Sequence, residues 1–326
     1  HMIGIGGISM SGIAGILLSF NCKITGYDAG VTDITKSLNE KGIEVSNKPN
    51  LENVKNADIV VYTAAIHEDN EELKYFYPTS ALVTGYDILF FWVARMIMAG
   101  THFMKDIPFK DIYLNGLIRD KIGRKMSKSL GNGIDPIEII DEHGADAFRF
   151  TLSFITSLGG QDIWLDKELF KMGGKFANKI YNSAKYIFGN IEDGEKIKNI
   201  DEFELENKDK WILSRLQKAI ESTERKLKEY RFDEASQTVY KFYWNEFCDW
   251  YIELCKARFQ KGGESSVNAQ RTLVSVMTTA LKLLHPFMPF ITEEIWQAIP
   301  HEGDALIVAK WPEHRDDLRF PAEESS

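Results

Sequence analysis

Residues 125–129 combine lysine and serine at a spacing suited to chemistry on phosphate groups, and the surrounding residues 123–132 read GRKMSKSLGN. Such a loop can fold over a triphosphate. The ammonium groups of Lys125 and Lys128 would then neutralise the charge that builds up on departing pyrophosphate. A solvated basic loop is the alternative interpretation of so short a string. The loop lies in a basic stretch, since residues 105–128 contain seven Lys or Arg and three Asp.

A second candidate phosphate site is the glycine-rich turn formed by Gly4, Gly6, Gly7 and Ser9. The turn follows a predicted strand and precedes a predicted helix, and Asp28 ends the next predicted strand. Glycine lets the backbone approach a pyrophosphate, and a helix N-terminus offers unpaired N–H groups. Ser9 stands where the dinucleotide fingerprint has its third glycine, so a plain tight turn is the alternative.

The composition of the 326-residue chain excludes several classes of protein. A hydrophobic content of 44% argues against disorder, and a net charge of -9 excludes a uniformly basic surface but allows a local basic patch. The three cysteines (Cys22, Cys248 and Cys255) form no CxxC pair, so we expect no metal site, no disulfide framework and a reducing, cytoplasmic location. The apolar stretch 88–100 is too short to span a bilayer, and we expect no membrane association.

Hydrophobic periodicity predicts an α/β region followed by an all-α region. Residues 1–73 alternate β-rich runs with helical patterns, which is typical of a Rossmann-like parallel sheet. Residues 74–189 are predicted to be mixed α/β, residues 190–207 a polar linker, residues 208–311 a helical bundle and residues 312–326 a tail.

Aromatic residues are concentrated in two places. We expect Phe90, Phe91 and Trp92 in the core. A cluster in the predicted bundle could stack RNA bases, but its apolar density favours core packing. The cluster comprises Tyr240, Phe242, Tyr243, Trp244, Phe247, Trp250 and Tyr251.

The N-terminal segment carries two strings with a family resemblance. Residues 1–14 read HMIGIGGISMSGIA and residues 56–70 read NADIVVYTAAIHEDN. They resemble the start and end of the first domain of the UDP-N-acetylmuramate–L-alanine ligase family, which makes cell-wall precursors. The resemblance implies a domain that binds UDP-N-acetylmuramate. It stops near residue 72 and no ATP-binding P-loop follows, so we do not expect that family's ligase chemistry.

The remainder of the chain resembles another family. Residues 77–98 read YPTSALVTGYDILFFWVARMIM, and residues 285–296 read HPFMPFITEEIW. Together with the Lys-Met-Ser-Lys-Ser loop, these strings resemble the valyl-tRNA synthetases, a family of class I aminoacyl-tRNA synthetases, from about residue 74 onward. The resemblance implies the second half of a class I nucleotide-binding fold followed by an anticodon-binding helical bundle. The implied activity is ATP-dependent attachment of valine to tRNA.

That resemblance implies roles for particular residues. Lys125 and Lys128 would contact the ATP phosphates and stabilise the transition state of valine activation. Asp87 would bind the ribose hydroxyls; taken alone, Asp87 could also be a helix N-cap before an apolar run, and the two roles are not exclusive. The other implied nucleotide contacts are Gly85, Asn115, Gly116, Met126, Ser127 and Ser129. The family usually has histidine where Asn115 stands. The implied cofactor is ATP with Mg²⁺, the partners are valine and tRNA, and we expect a monomer.

One expected motif is missing. None of the seven histidines lies in the His-x-Gly-His motif of the family's first catalytic half. We therefore expect an incomplete or fused ligase with a junction near residues 72–76, and most transition-state binding should be lost. A gene fusion, an assembly error or an engineered chimera would each produce such a join.

Two further hypotheses follow from the missing half. The chain could be a noncatalytic tRNA-binding fragment fused to a UDP-sugar-binding domain. Alternatively, the N-terminal segment could share one sheet with the synthetase-like segment, so that its glycine-rich turn faces the lysine loop.

Overall fold

The structure is a computed structural model that describes residues 1–55, 57–63, 77–156, 159–191, 203–299 and 303–324, together with residues 70, 75, 200 and 301; the side chain of Lys128 is outside this set. The chain divides into two compact units, His1–Tyr113 and Leu114–Ser326. This division falls inside residues 74–189, which the sequence suggests as one domain. The predicted linker lies largely outside the described residues.

The first unit begins with a parallel sheet of four short strands in the order β3-β2-β1-β4. The strands are β1 (Met2–Ile3), β2 (Thr25–Tyr27), β3 (Glu44–Ser46) and β4 (Val61–Tyr62). Three helices connect them: α1 (Ile8–Ser19), α2 (Asp33–Glu40) and α3 (Leu51–Lys55). The predicted alternation of strand and helix is confirmed.

Local sequence accounts for these elements. Thr32 and Thr35 form a reciprocal capping box at the start of α2, with hydrogen bonds of 3.3 Å and 2.9 Å. Gly26 lies in the middle of β2, where a Cβ atom would approach Ile5 Cδ1 to 2.6 Å. The glycine therefore lets Ile5 pack directly on the sheet, and Ile5 is fully buried.

A second, separate sheet in this unit pairs β5 (Thr79–Gly85) with β6 (Phe109–Asn115). A helical segment lies between these strands in sequence and includes α4 (Ala94–Ala99), flanked by two π-helical turns, Leu89–Val93 and Gly100–Met104. Since the described strands belong to separate sheets, the hypothesis of one shared sheet is wrong for them.

The helical segment contradicts one expectation about the core. Phe90, Phe91 and Trp92 are 81%, 58% and 56% exposed, whereas Val93 is buried. Val93 lies on the buried side of this helical segment. On the opposite side, no described residue of the first unit covers the aromatic side chains. Hydrophobicity alone predicts burial but cannot show whether a covering element is present.

The second unit begins with β7 (Ile118–Arg119), which pairs in parallel with β8 (Ile163–Trp164). Two helices, α5 (Pro136–His143) and α6 (Ala145–Ile155), lie between β7 and β8 in sequence. A third helix, α7 (Phe170–Phe188), follows β8. Asp135 caps α5 by accepting the Ile137 N–H at 2.9 Å, and proline occupies the first helical turn, where it needs no donor.

The rest of the second unit is helical. Its elements are α8 (Asn207–Lys228), α9 (Phe232–Lys241), a π-helical segment (Phe242–Ile252), α10 (Glu253–Lys261), α11 (Gly263–Leu284), α12 (Pro289–Ala298) and α13 (Pro321–Glu324). Buried Asp209 accepts hydrogen bonds from Tyr251 at 2.5 Å and Arg258 at 2.6 Å. This network ties α8 to the π-helical segment and α10. The predicted order, α/β followed by all-α, is confirmed.

Within the described ranges, no helix combines the length and apolar character needed to cross a membrane.

Candidate functional site

The Lys-Met-Ser-Lys-Ser loop extends from a tight hairpin that begins at β7. Lys125 forms an antiparallel bridge with Arg119, and the Asp120 N–H donates to the Arg124 carbonyl at 2.9 Å. Gly123 makes the turn with a φ of +82°, a conformation that glycine adopts without strain. The hairpin therefore fixes the backbone where the loop begins.

Asp120 organises the hairpin turn through its carboxylate. It accepts hydrogen bonds from the backbone N–H groups of Ile122 at 3.1 Å and Arg124 at 2.9 Å, and from Arg124 Nε at 2.8 Å. Asn132 Nδ2 donates to the same carboxylate at 2.9 Å. This amide contributes most to lowering the pKa of Asp120, which falls to about 2. The carboxylate is therefore ionised at neutral pH.

Asn132 joins the two ends of the loop. Its Oδ1 accepts the Ser127 N–H at 3.0 Å, while its Nδ2 lies 3.4 Å from the Lys125 carbonyl oxygen and also reaches Asp120. One side chain thus contacts the hairpin turn and the loop on both sides of Met126. Sequence analysis did not single out Asn132, although it is the last residue of the string 123–132.

The serines and Met126 complete the loop. The hydroxyls of Ser127 and Ser129 lie 3.1 Å apart, and the Leu130 N–H donates to Ser127 Oγ at 3.3 Å. Met126 is half-buried and packs against the cluster of Ile139, Leu165 and Phe170. The loop is therefore anchored at Met126, while Lys125 is exposed. The predicted role of the Lys128 side chain lies outside the described residues.

An ion pair between Arg119 and Asp162, the residue before β8, stabilises the hairpin. Arg119 Nε pairs with Asp162, whose other carboxylate oxygen accepts the Leu117 N–H at 3.2 Å. Arg119 also donates to the Gly123 carbonyl at 2.9 Å. Asp162 therefore stabilises the hairpin through both of its carboxylate oxygens.

The remaining predicted nucleotide contacts are distributed over both units. Gly85 ends β5 in the first unit, and Asp87 is exposed in the single turn that follows. Asn115 and Gly116 precede β7, and Asn115 Nδ2 lies 3.2 Å from the Gly116 carbonyl oxygen. A Cβ atom on Gly116 would collide with the Gln161 carbonyl oxygen. Packing therefore explains this glycine without a nucleotide.

The N-terminal turn has a compact, internally bonded geometry. Gly4 adopts a φ of +79°, and Gly7 precedes α1 without a side-chain cap. The Gly6 N–H donates to Asp28 Oδ2 at 2.8 Å, and the Gly30 N–H donates to Asp28 Oδ1 at 2.9 Å. Asp28 thus holds the turn in place, while Ser9 is exposed at the start of α1. A Cβ atom on Gly6 would lie 2.7 Å from Asp28 Oδ2, so the glycine is required here.

The aromatic cluster of the helical region is mainly core. Phe242, Tyr243, Phe247 and Tyr251 are at most 2% exposed, which confirms the packing interpretation for them. Trp250 is the exception, since it is 64% exposed. Four basic residues on α8, Arg215, Lys218, Lys226 and Lys228, pair with acids; for example, Lys228 Nζ lies 2.6 Å from Glu224 Oε1.

The described residues contain no group of three or more His, Cys, Asp or Glu side chains that could hold a metal ion.

Comparison with known proteins separates the chain into regions. Residues 1–83 match the family model described as Mur ligase family, catalytic domain. Residues 59–166 match tRNA synthetases class I (I, L, M and V), and residues 209–326 match the anticodon-binding domain of tRNA ligase. The first two matches overlap across the predicted junction.

Similar curated proteins are valine–tRNA ligases. That of Thermotoga maritima is 51% identical over 251 residues, covering 77% of this chain and 28% of the relative. That of Fervidobacterium nodosum is 52% identical, with the same 77% and 28% coverage. The chain thus spans less than a third of the length of these relatives.

Solved structures support the fold. The ternary complex of Agrobacterium radiobacter K84 agnB2 LeuRS, tRNA and LeuAMS has a TM-score of 0.60 at 22% identity, covering 74% of this chain and 29% of that one. Mycobacterium tuberculosis methionyl-tRNA synthetase with methionyl-adenylate has a TM-score of 0.57 at 19% identity, covering 76% and 47%. Both resemblances predicted from the sequence are confirmed: the N-terminal segment matches the Mur ligase family, and the larger C-terminal part of the chain is similar to valine–tRNA ligases.

Proposed function

We propose that this chain is a valine–tRNA ligase type protein in incomplete or fused form, which carries the second half of the catalytic domain and the tRNA-binding helical domain. The observation that carries the proposal is the Lys-Met-Ser-Lys-Ser loop. Its backbone is held by Asn132 and Asp120, and Lys125 is left exposed. About half of the residues are identical to valine–tRNA ligases over this region.

The proposed chemistry is attack of the valine carboxylate on the α-phosphorus of ATP, which forms valyl-adenylate and releases pyrophosphate. The adenylate then transfers valine to tRNA and releases AMP. Lys125 and Lys128 would stabilise the charge on the leaving pyrophosphate. Met126 would anchor the loop, and the hydroxyls of Ser127 and Ser129 would contact phosphate oxygens.

The nucleoside side of the proposed site is formed by Gly85, Asp87, Asn115 and Gly116. Asp87 is exposed and could accept hydrogen bonds from ribose hydroxyls. Mg²⁺ would arrive with the ATP phosphates, because at nucleotide sites this ion is usually held by substrate phosphates and a few protein oxygens. We further propose a monomer that acts in the cytoplasm, with the domain limits 1–73, 74–189, 190–207, 208–311 and 312–326.

A second candidate function is noncatalytic. The chain would bind tRNA through its helical domain and UDP-N-acetylmuramate through its first domain. Support comes from the match of residues 1–83 to the Mur ligase family and from the ordered turn at Gly4, Gly6, Gly7 and Ser9, held by Asp28. Protection of this turn from hydrogen exchange by UDP-N-acetylmuramate, and not by ATP, would favour this candidate.

Valine-dependent ATP–pyrophosphate exchange, with isoleucine as the control substrate, tests the incomplete-ligase proposal. We expect the chain alone to exchange no faster than its Lys125→Ala/Lys128→Ala variant, because the His-x-Gly-His half is missing. Faster exchange with valine than in that variant would mean that the chain contains a complete activation site, and the incomplete form would be rejected.

A further inference from the structure

A cleft of about 400 Å³ lies in the second unit, outside the site described above. The cleft is lined by residues of four parts of the chain: α6, the end of α11 with the turn after it, the start of α12, and the segment that follows α12. They are Arg149, Lys282, His285, Pro286, Pro289, Leu306, Ile307, Ala309, Lys310 and Trp311.

Three cations from three separate segments meet at this cleft, and none of its described lining residues is acidic. Arg149 is positioned by a hydrogen bond to the Pro286 carbonyl at 3.0 Å. The Lys282 ammonium lies 5.6 Å from the centre of the Trp296 ring. Lys310 is exposed and forms no ion pair with a described residue. Such a concentration of positive charge stands out in a chain of net charge -9.

Two carboxylates, Asp146 on α6 and Glu293 on α12, accept hydrogen bonds from the elements that form the cleft. Asp146 accepts the N–H groups of Phe290 at 3.1 Å and Ile291 at 2.6 Å. Glu293 accepts the Leu306 N–H at 2.9 Å and the Gln297 amide at 2.7 Å. These hydrogen bonds join α12 to α6 and to the segment that follows α12.

His285 lines the cleft as an uncharged residue and does not contribute a fourth positive charge. Its Nδ1 lies 2.8 Å from Thr292 Oγ1, and burial lowers the pKa of its ring. Together with Leu306 and Trp311 it forms a weakly hydrated surface beside the three cations. Charge-assisted hydrogen bonds to an oxyanion are stronger where water is partly excluded.

We propose that this cleft binds a backbone phosphate of RNA, with Arg149, Lys282 and Lys310 around the oxyanion. The inference rests on the proposed tRNA-binding function and adds a specific contact to it. A phosphodiester fits because it needs only positive charge and donors, and carries no base-edge pattern that the cleft would have to recognise.

Salt dependence of tRNA binding tests the proposal. Neutralising one phosphate contact flattens the slope of log K against log salt by about 0.7–0.9. We expect that change, with roughly tenfold weaker binding at low salt, in Arg149→Gln/Lys282→Gln/Lys310→Gln. Lys310→Gln alone should weaken binding in the same direction without affecting the fold, because Lys310 is exposed. Lys261→Gln is the charge-matched control, since Lys261 is exposed on α10 and outside the cleft.

Inorganic phosphate, titrated at constant ionic strength, separates the inference from the proposed function. It should shift the indole N–H signal of Trp311 in the wild-type chain and not in the triple variant. Equal tRNA affinity and slope in wild type and triple variant would overturn the inference while the tRNA function stands. A phosphate shift without any tRNA binding would refute both the RNA assignment and the proposed function, and would leave a site for free phosphate.

Discussion

Asn132 is the residue on which the geometry of the lysine loop depends most. Its amide contacts Asp120, the Ser127 N–H and the Lys125 carbonyl. Asp120 in turn accepts from the backbone of residues 122 and 124. The two side chains therefore connect the hairpin turn to the loop, and they act by positioning the loop rather than by touching a substrate.

We predict that Asn132→Ala raises the pKa of Asp120 from about 2 toward its ordinary value of 3.8, because the amide is the largest contribution that lowers it. The folded-state pKa is depressed, so the ordered turn is favoured above the ordinary pKa and is lost as the pH falls toward 2. Titration of the Asp120 carboxyl carbon by NMR measures the change.

The same variant should be cleaved faster by trypsin after Lys125, since the loop backbone loses two hydrogen bonds. Asn190→Ala, which removes a bond to the Tyr186 carbonyl at the end of α7, is the matched control. Unchanged cleavage and an unchanged pKa of Asp120 would show that Asn132 does not hold the loop.

At this scale, the lysines and serines of the loop are recognisable from the sequence, whereas Asp120 and Asn132, which hold the loop in place, are not. The Lys-Met-Ser-Lys-Ser string is short and distinctive. The contact between Asp120 and Asn132 depends on how the hairpin folds back, and a single sequence gives no signal for it. Gly116 shows a related limit, because the close approach of the Gln161 backbone accounts for a glycine at this position whether or not a nucleotide binds there.

Helix α12 illustrates how an element depends on a distant residue. Its first turn has no side-chain cap of its own, and Asp146 on α6 accepts the N–H groups of Phe290 and Ile291 instead. A carboxylate at a helix N-terminus satisfies unpaired donors and interacts favourably with the helix dipole. Asp146 therefore has a structural role at the start of α12.

We predict that Asp146→Ala lowers the free energy of unfolding by about 1–3 kcal/mol, the usual cost of losing a helix cap and a charged hydrogen-bond acceptor. Urea denaturation followed by circular dichroism measures it. Asp141→Ala, which removes an exposed acid from α5, should change the stability by less than about 0.5 kcal/mol. Equal effects of the two substitutions would contradict the capping role.

Element types were largely predictable, whereas their packing was not. Strand and helix alternation in residues 1–63 follows from periodicity, and α12 begins at Pro289, where a proline suits the first turn of a helix. The exposure of Phe90, Phe91 and Trp92 was missed because apolar character does not reveal whether another element covers a helix. The buried network of Asp209 and Arg258 joins residues far apart in sequence, which no local pattern shows.

At the scale of the whole second unit, α13 is held to α8 by Glu324. Its carboxylate pairs with Lys218 and with the Ser214 hydroxyl, and it lies 3.1 Å from Arg319 Nε. Burial alone would raise the pKa of Glu324, but the bonds from Lys218 and Ser214 outweigh it and lower the pKa to about 2. The pairing therefore contributes stability above the ordinary pKa of 4.5 and loses it as the pH falls toward 2.

We predict that Glu324→Gln makes the melting temperature less dependent on pH between 4.5 and 2, with lower stability than wild type at neutral pH. Thermal unfolding across this range measures both effects. Glu323→Gln, one residue earlier in α13, is the control. Parallel acid profiles for wild type and Glu324→Gln would refute the assigned role.

At the scale of the whole molecule, the proposal to be tested is that the Lys-Met-Ser-Lys-Ser loop forms a phosphate-binding half-site of the valine–tRNA ligase type. The most direct measurement is the reactivity of Lys125 and Lys128 toward an amine-specific reagent, followed by mass spectrometry with and without ATP. Lys261 is the internal reference. We predict that ATP protects Lys125 and Lys128 in a saturable manner while AMP, which lacks the β- and γ-phosphates, does not. Equal labelling with ATP, with AMP and without nucleotide would contradict the account.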